Sequence, residues 1–212
     1  MLVSVQNSDD MSETTARRHG LERFLSSAES AAEAHVEIGV ASRRGFLNVR
    51  LDRRNGAAAE AAGRVLGQPL PLASNTFTDA EHRVYWLGPD EWLIETGAKR
   101  AVGLAGELAE ALTGHHATVN DVSGGHIALR VTGPDARTVL AKGCTLDLHP
   151  RNFGPGQCAR TGLGKANILL AADDDAASWT ILVARSFADY LCRWLAHTAR
   201  PHGVHFSMVR VT

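Results

Sequence analysis

From Glu37 onward the chain alternates short apolar runs with turns and amphipathic stretches. Ile38 and Val40 precede the turn Ser42-Arg43-Arg44-Gly45, and Leu47, Val49 and Leu51 follow it at every second position, which predicts two strands. An alanine-rich helix from about Ala57 to Leu66 comes next, with Gly67 and Pro69 as its stop signals. The run VYWLGPDEWLIE reads as two strands around the turn Gly88-Pro89-Asp90. Leu104, Ala105, Leu108 and Leu112 then mark the inner stripe of a helix from about Arg100 to Thr113, ended by Gly114.

The same order of elements recurs in the second half. Ile127, Leu129 and Val131 share one strand face, with Ala128 and Arg130 on the other. A helix is predicted to start at Pro134, to carry Asp135 in its first turn, to bury Ala136, Val139 and Leu140, and to end at Lys142-Gly143. Two strands, Ala166 to Ala171 and Trp179 to Val183, flank an acidic turn at Asp173-Asp174-Asp175. Ser186 and Asp189 form a capping box for a helix that buries Phe187, Tyr190, Leu191, Trp194 and Leu195 and stops at Pro201. The alternating segment Val204 to Val211 adds a last strand.

Each half thus reads strand, helix, strand, strand, helix. The expected fold is α+β, with two pseudo-symmetric split β-α-β halves and helices on one sheet face. Residues 1–35 are expected to be a polar tail with one short helix through Leu21, Phe24, Leu25, Ala28 and Ala32. The first half is expected over 36–116 and the second over 117–212, sharing one core.

Composition narrows the function. Hydrophobic residues at 44% and charged ones at 21% are those of a globular chain. A formal charge of −1 lacks the basic excess that nucleic acid rewards, so no nucleic-acid partner is expected. No apolar run reaches a membrane span, and the first twenty residues lack a secretory pattern, so a cytoplasmic chain without membrane contact is expected. The 3 cysteines, Cys144, Cys158 and Cys192, have no paired spacing and are expected to be reduced thiols.

The candidate chemistry fails each template it suggests. Gly162-Leu163-Gly164-Lys165 has Ala159 where a phosphate loop needs its first Gly and Ala166 where it needs Ser or Thr, and a strand-like run follows. The 10 histidines include the adjacent His115-His116 but no metal-ligand spacing, so no metal is expected. His149, before Pro150, is expected to shape a loop. Asp121, before Val122-Ser123, is the one suggestively placed carboxylate, and an Asp bonding its own turn is the commoner use of that pattern. No catalytic residue is assigned, and no cofactor-binding residue.

Five segments together carry a resemblance: Asp121-Val122-Ser123, Ala128 to Pro150, Phe153 to Gly156, Leu163 to Ala166, and Arg185 to Leu195, with Trp86 to Glu95 in the first half. They resemble the gamma subunit of heterotetrameric sarcosine oxidase. That resemblance implies a chain folded like the folate-binding aminomethyltransferase of glycine cleavage. It also implies a bacterial complex that oxidatively demethylates sarcosine to glycine, releases hydrogen peroxide and passes the one-carbon unit to tetrahydrofolate. The implied partners are alpha, beta and delta subunits, and FAD, FMN, NAD and tetrahydrofolate are implied on those partners. Where the transferase relative places a functional carboxylate, the nearest polar residue here is Asn167, which cannot hold negative charge against a developing iminium. The expected role is therefore structural assembly. The competing reading is a free-standing folate-binding, aminomethyltransferase-like enzyme.

Overall fold

The computed structural model describes residues 21, 24, 34–52, 54–173 and 177–210. Eleven strands among them form two sheets. In the first sheet the order is β3 (Phe77–Asp79), β4 (Arg83–Gly88), β5 (Glu91–Gly97), β2 (Arg44–Leu51) and β6 (Ala117–Asp121). In the second it is β11 (Val204–Arg210), β1 (Val36–Ser42), β7 (His126–Thr132), β10 (Ser178–Ala184), β9 (Ala166–Ala172) and β8 (Cys158–Leu163). All neighbours are antiparallel except β1 and β11, which run parallel.

Strand alternation explains how the layers stack. On β2, Leu47, Val49 and Leu51 join Val84, Trp92 and Ile94 beneath two helices, α1 (Gly56–Leu66) and α2 (Ala98–Ala111). On the second sheet, Leu129, Val131, Ile168, Leu170, Trp179 and Ile181 pack under α3 (Ala136–Ala141) and α4 (Ala188–Ala199). The opposite strand faces meet each other: Phe46, Tyr85 and Leu93 of the first sheet against Ala128, Cys158, Leu169, Ala171 and Leu182 of the second. Three apolar clusters therefore make up the interior, in the layer sequence helix, sheet, sheet, helix. Phe46 and Tyr85 are fully buried in the middle one, where each such side chain contributes roughly 1.5–3 kcal/mol.

Each sheet also borrows a strand across the 116/117 division expected from the sequence. β1 lies between β7 and β11, and β6 pairs with β2. The chain changes sheets at Arg43, a left-handed residue with φ 62°, and returns through the 3₁₀ turn Ser123–Gly125.

Several predicted elements stand with adjusted ends. The first helix begins at Gly56, where the Asn55 side chain accepts from the Ala58 N–H at 3.2 Å, and Gly67 closes it with φ 67°. The third helix is shorter than predicted and starts at Ala136. Its Asp135 makes no capping bond and instead pairs with His35 and His202, each at 3.0 Å. The fourth helix opens through a 3₁₀ turn at Arg185–Phe187, and Phe187 at its N-cap carries no capping side chain; the predicted capping box at Ser186 is not its start. Asp173 is no solvated turn residue, being 4% exposed, while Asp174 and Asp175 lie outside the described residues. Of the predicted N-terminal helix, Leu25, Ala28 and Ala32 lie outside them too. Leu21 is buried in the second-sheet cluster and Phe24 stacks on Phe206 at 5.4 Å.

Candidate functional site

The two sheets close against each other at one end and part at the other. At the closed end Arg83 of β4 reaches the Asp173 carboxylate at 2.7 Å and the Thr180 hydroxyl at 3.0 Å, and Ser178 donates to Asp173 at 3.0 Å. Nearby, the buried Tyr85 hydroxyl donates to Glu95 at 2.6 Å, and Arg44 lies 2.7 Å from the same carboxylate. Burial, with the Glu95 charge beside it, pushes the Tyr85 phenol well above its ordinary range, so it serves as a fixed donor. Backbone bonds lock this region as well: the Cys158 N–H donates to the Asn75 carbonyl at 2.8 Å. The Cys158 thiol donates to the Thr76 carbonyl at 3.2 Å, and burial raises its pKa to about 12, which leaves it without nucleophilic character.

Where the sheets part, a cleft of about 890 Å³ lies between them. Its floor is apolar, from Leu87, Leu93, Leu169 and Leu182. One wall carries a charged group that alternation makes inevitable. β2 presents Asn48 and Arg50 on the face that holds Phe46, and β5 presents Glu91 on the face that holds Leu93. Glu91 accepts from Asn48 at 2.9 Å, from Arg50 at 3.1 Å and from Arg160 of β8, on the other sheet, at 3.1 and 3.4 Å. Burial by itself would raise its pKa; the Asn48 and arginine donors outweigh that and hold it below the usual carboxylate range. With both oxygens engaged by cationic donors, it is a poor proton acceptor. Two guanidiniums against one carboxylate leave the wall with one net positive charge.

Asn167 and His126 complete the cleft. Asn167 is exposed on β9 and makes no side-chain hydrogen bond among the described residues. His126 holds Nδ1 at 3.2 Å from the Val122 carbonyl. A carbonyl only accepts, so Nδ1 is the donor there, and in the neutral ring Nε2 is left as an acceptor.

The other sequence candidates fall elsewhere. Asp121 ends β6, and its Oδ1 accepts from the Ser123 N–H at 2.8 Å and the Ser123 hydroxyl at 2.5 Å. It builds its own turn. Gly162 to Lys165 form the β8–β9 hairpin, with Gly164 at φ 58° and the Lys165 N–H donating to the Tyr190 hydroxyl at 2.9 Å. His149 accepts from the Arg151 N–H at 3.2 Å within its loop. His115 pairs with Asn55, and no group of three metal-ligating side chains occurs among the described residues. Cys144 and Cys158 are free thiols, and Cys192 is buried. Sequence reasoning missed Glu91, although its signal was present. Glu91, Leu93 and Glu95 alternate with Trp92 and Ile94, so two carboxylates had to face the inter-sheet space and find partners there.

Similarities to known proteins agree with this architecture. Residues 50–200 match the sarcosine oxidase, gamma subunit family. The chain is 33% identical over 192 residues to sarcosine oxidase subunit gamma from Corynebacterium sp. (strain U-96), covering 88% of this chain and 92% of that one. It is 34% identical over 177 residues to the Arthrobacter subunit gamma, covering 84% and 85%. In structure it matches a chain of heterotetrameric sarcosine oxidase from Corynebacterium sp. U-96 with TM-score 0.79 and 29% identity, over 93% of this chain and 100% of that one. The glycine cleavage aminomethyltransferase T of Bartonella henselae shares the fold, with TM-score 0.59 and 16% identity over 88% of this chain and 50% of that one. A two-sheet α+β chain whose inter-sheet carboxylate is engaged by arginines, and whose sequence follows these relatives nearly end to end, belongs to the sarcosine oxidase gamma subunit family.

Proposed function

We propose that this chain is the gamma subunit of a bacterial heterotetrameric sarcosine oxidase, assembled with alpha, beta and delta subunits. That complex oxidatively demethylates sarcosine to glycine, forms hydrogen peroxide and passes the one-carbon unit to tetrahydrofolate. FAD, FMN, NAD and tetrahydrofolate belong to the partner subunits in this reading, and the whole acts in the cytoplasm. The chain itself contributes assembly rather than catalysis.

One observation carries the non-catalytic part. The carboxylate in the cleft, Glu91, is saturated by Asn48, Arg50 and Arg160, and Asp121 is spent on its own turn. General base work needs a carboxylate able to take a proton near neutral pH, and the Glu91 donors drive it the other way. The assembly part is supported by large apolar side chains left exposed among the described residues: Val102 at 74% exposure, Leu72 at 54% and Phe187 at 44%.

The test is co-expression of the tagged chain with the three other subunits. The expected result is a stoichiometric complex in which the gamma chain and its partners bury at least about 2,000 Å². A well-behaved monomer without affinity for the alpha subunit would overturn the proposal. Micromolar binding of tetrahydrofolate to the lone chain in calorimetry, weakened by Asp121→Ala, would favour the transferase-like reading instead.

A further inference from the structure

We infer that the inter-sheet cleft is a binding site for a small organic carboxylate, its apolar body on the leucine floor and its charged end on Arg50 and Arg160. The volume of about 890 Å³ lies within the range of ligand sites, about 300–1,000 Å³. The lining has the composition such sites need: an apolar floor from Leu87, Leu93, Leu169 and Leu182, with a few polar groups converging from both sheets.

The charge sets the class of ligand. Glu91 takes Arg50 only through Nη2 and Arg160 through its two terminal nitrogens. Arg50 therefore keeps Nη1 and Nε donors, and Arg160 keeps Nε, for a further acceptor. Both side chains are more than half exposed, at 55% and 57%, so these donors are reachable from solvent. After Glu91 is counted, one positive charge remains, which matches a single carboxylate and disfavours a cation. Arginine pairs with carboxylates through paired, charge-assisted N–H donors, a match that a single neutral hydroxyl does not offer. The unengaged Asn167 amide on the opposite wall supplies a donor and an acceptor for a polar substituent, and His126 Nε2 supplies one more acceptor. A purely structural ion pair would account for Arg160 and Glu91, but not for a cleft of this volume lined by leucines beside them.

The site follows from this chain's own residues and does not depend on the assembly reading. The experiment uses the full chain in whatever assembly it purifies, with 2-naphthoate as probe and 2-naphthylmethanol as its uncharged counterpart, by equilibrium dialysis. The expected result is one naphthoate site per chain, at least tenfold tighter than the alcohol and weakened by raised salt. Arg160→Gln and Arg50→Gln should each lower naphthoate affinity about tenfold without moving the alcohol. Asn167→Trp, which fills the cleft from an exposed position and leaves both arginines in place, should abolish that site. Binding sites on other subunits are common to wild type and variants, so the difference reads the cleft. Naphthoate binding unchanged in all three variants, equal affinity for the alcohol, or no site at 1 mM would overturn the inference.

Discussion

Glu91 and Arg83 illustrate two fates of charge between packed sheets. Arg83 is 15% exposed and pairs with both the buried Asp173, 5% exposed, and the more exposed Asp79, so it is Asp173 that depends on Arg83 for neutralisation. Replacing Arg83 by Met leaves a buried carboxylate with Ser178 and Thr180 as its remaining side-chain donors among the described residues. Urea unfolding is expected to show a loss of about 3 kcal/mol, the usual cost of breaking a buried pair, with part of it recovered in Arg83→Met/Asp173→Asn. Glu91 is linked to pH instead. Because its native pKa is depressed, its contribution is full above the unfolded value of about 4.3 and disappears as pH falls through the native one. The acid limb of stability against pH should therefore flatten in Glu91→Gln, and an unchanged limb below about pH 4 would contradict the assigned network. Such roles were only partly legible in the sequence. Asp121 was readable because its hydrogen bonds run to Ser123, two residues on, whereas Glu91 draws on Asn48 and Arg160, which no local pattern connects to it.

At the scale of elements, alternation was the reliable guide. Leu47, Val49 and Leu51 were expected to share one strand face, and the structure places that face under the helices. Short strands escaped: Phe77–Asp79 and Ala117–Asp121 are too brief to show a clear alternation, and they are fixed by the hydrogen bonds that neighbouring strands supply. The helix after β7 was predicted two residues too long at its start because the Gly133-Pro134-Asp135 turn has a tertiary cause. Gly133 has φ 114°, and an added Cβ would meet the His35 carbonyl. Gly133→Ala is expected to cost about 3 kcal/mol in urea unfolding. Gly106→Ala, inside α2 with open space around it, should instead stabilise by up to about 1 kcal/mol, and the opposite signs separate backbone strain from a general intolerance of glycine replacement.

Over the whole molecule, the exchange of β1 and β6 couples the two halves. Neither sheet is complete without a strand encoded beyond the division, and Arg83–Asp173 and Glu91–Arg160 tie the sheets from both ends. Calorimetry, tryptophan fluorescence and circular dichroism should therefore report one coincident unfolding transition; two resolved transitions would show the halves to be independent. The internal echo was visible in the sequence, and the exchange was not, since strand partners separated by most of the chain leave no local trace.

The placement of β1 also bears on how the protein is made. Among the strands it leaves the ribosome first, yet its hydrogen-bonding neighbours, β7 and β11, are synthesised midway and last. Throughout translation of the first half, Ile38 and Val40 belong to a nascent strand with both edges open. Newly made chains should accordingly rely on holding chaperones until β11 emerges, and ribosome-bound truncations ending before Val204 should be the most aggregation-prone.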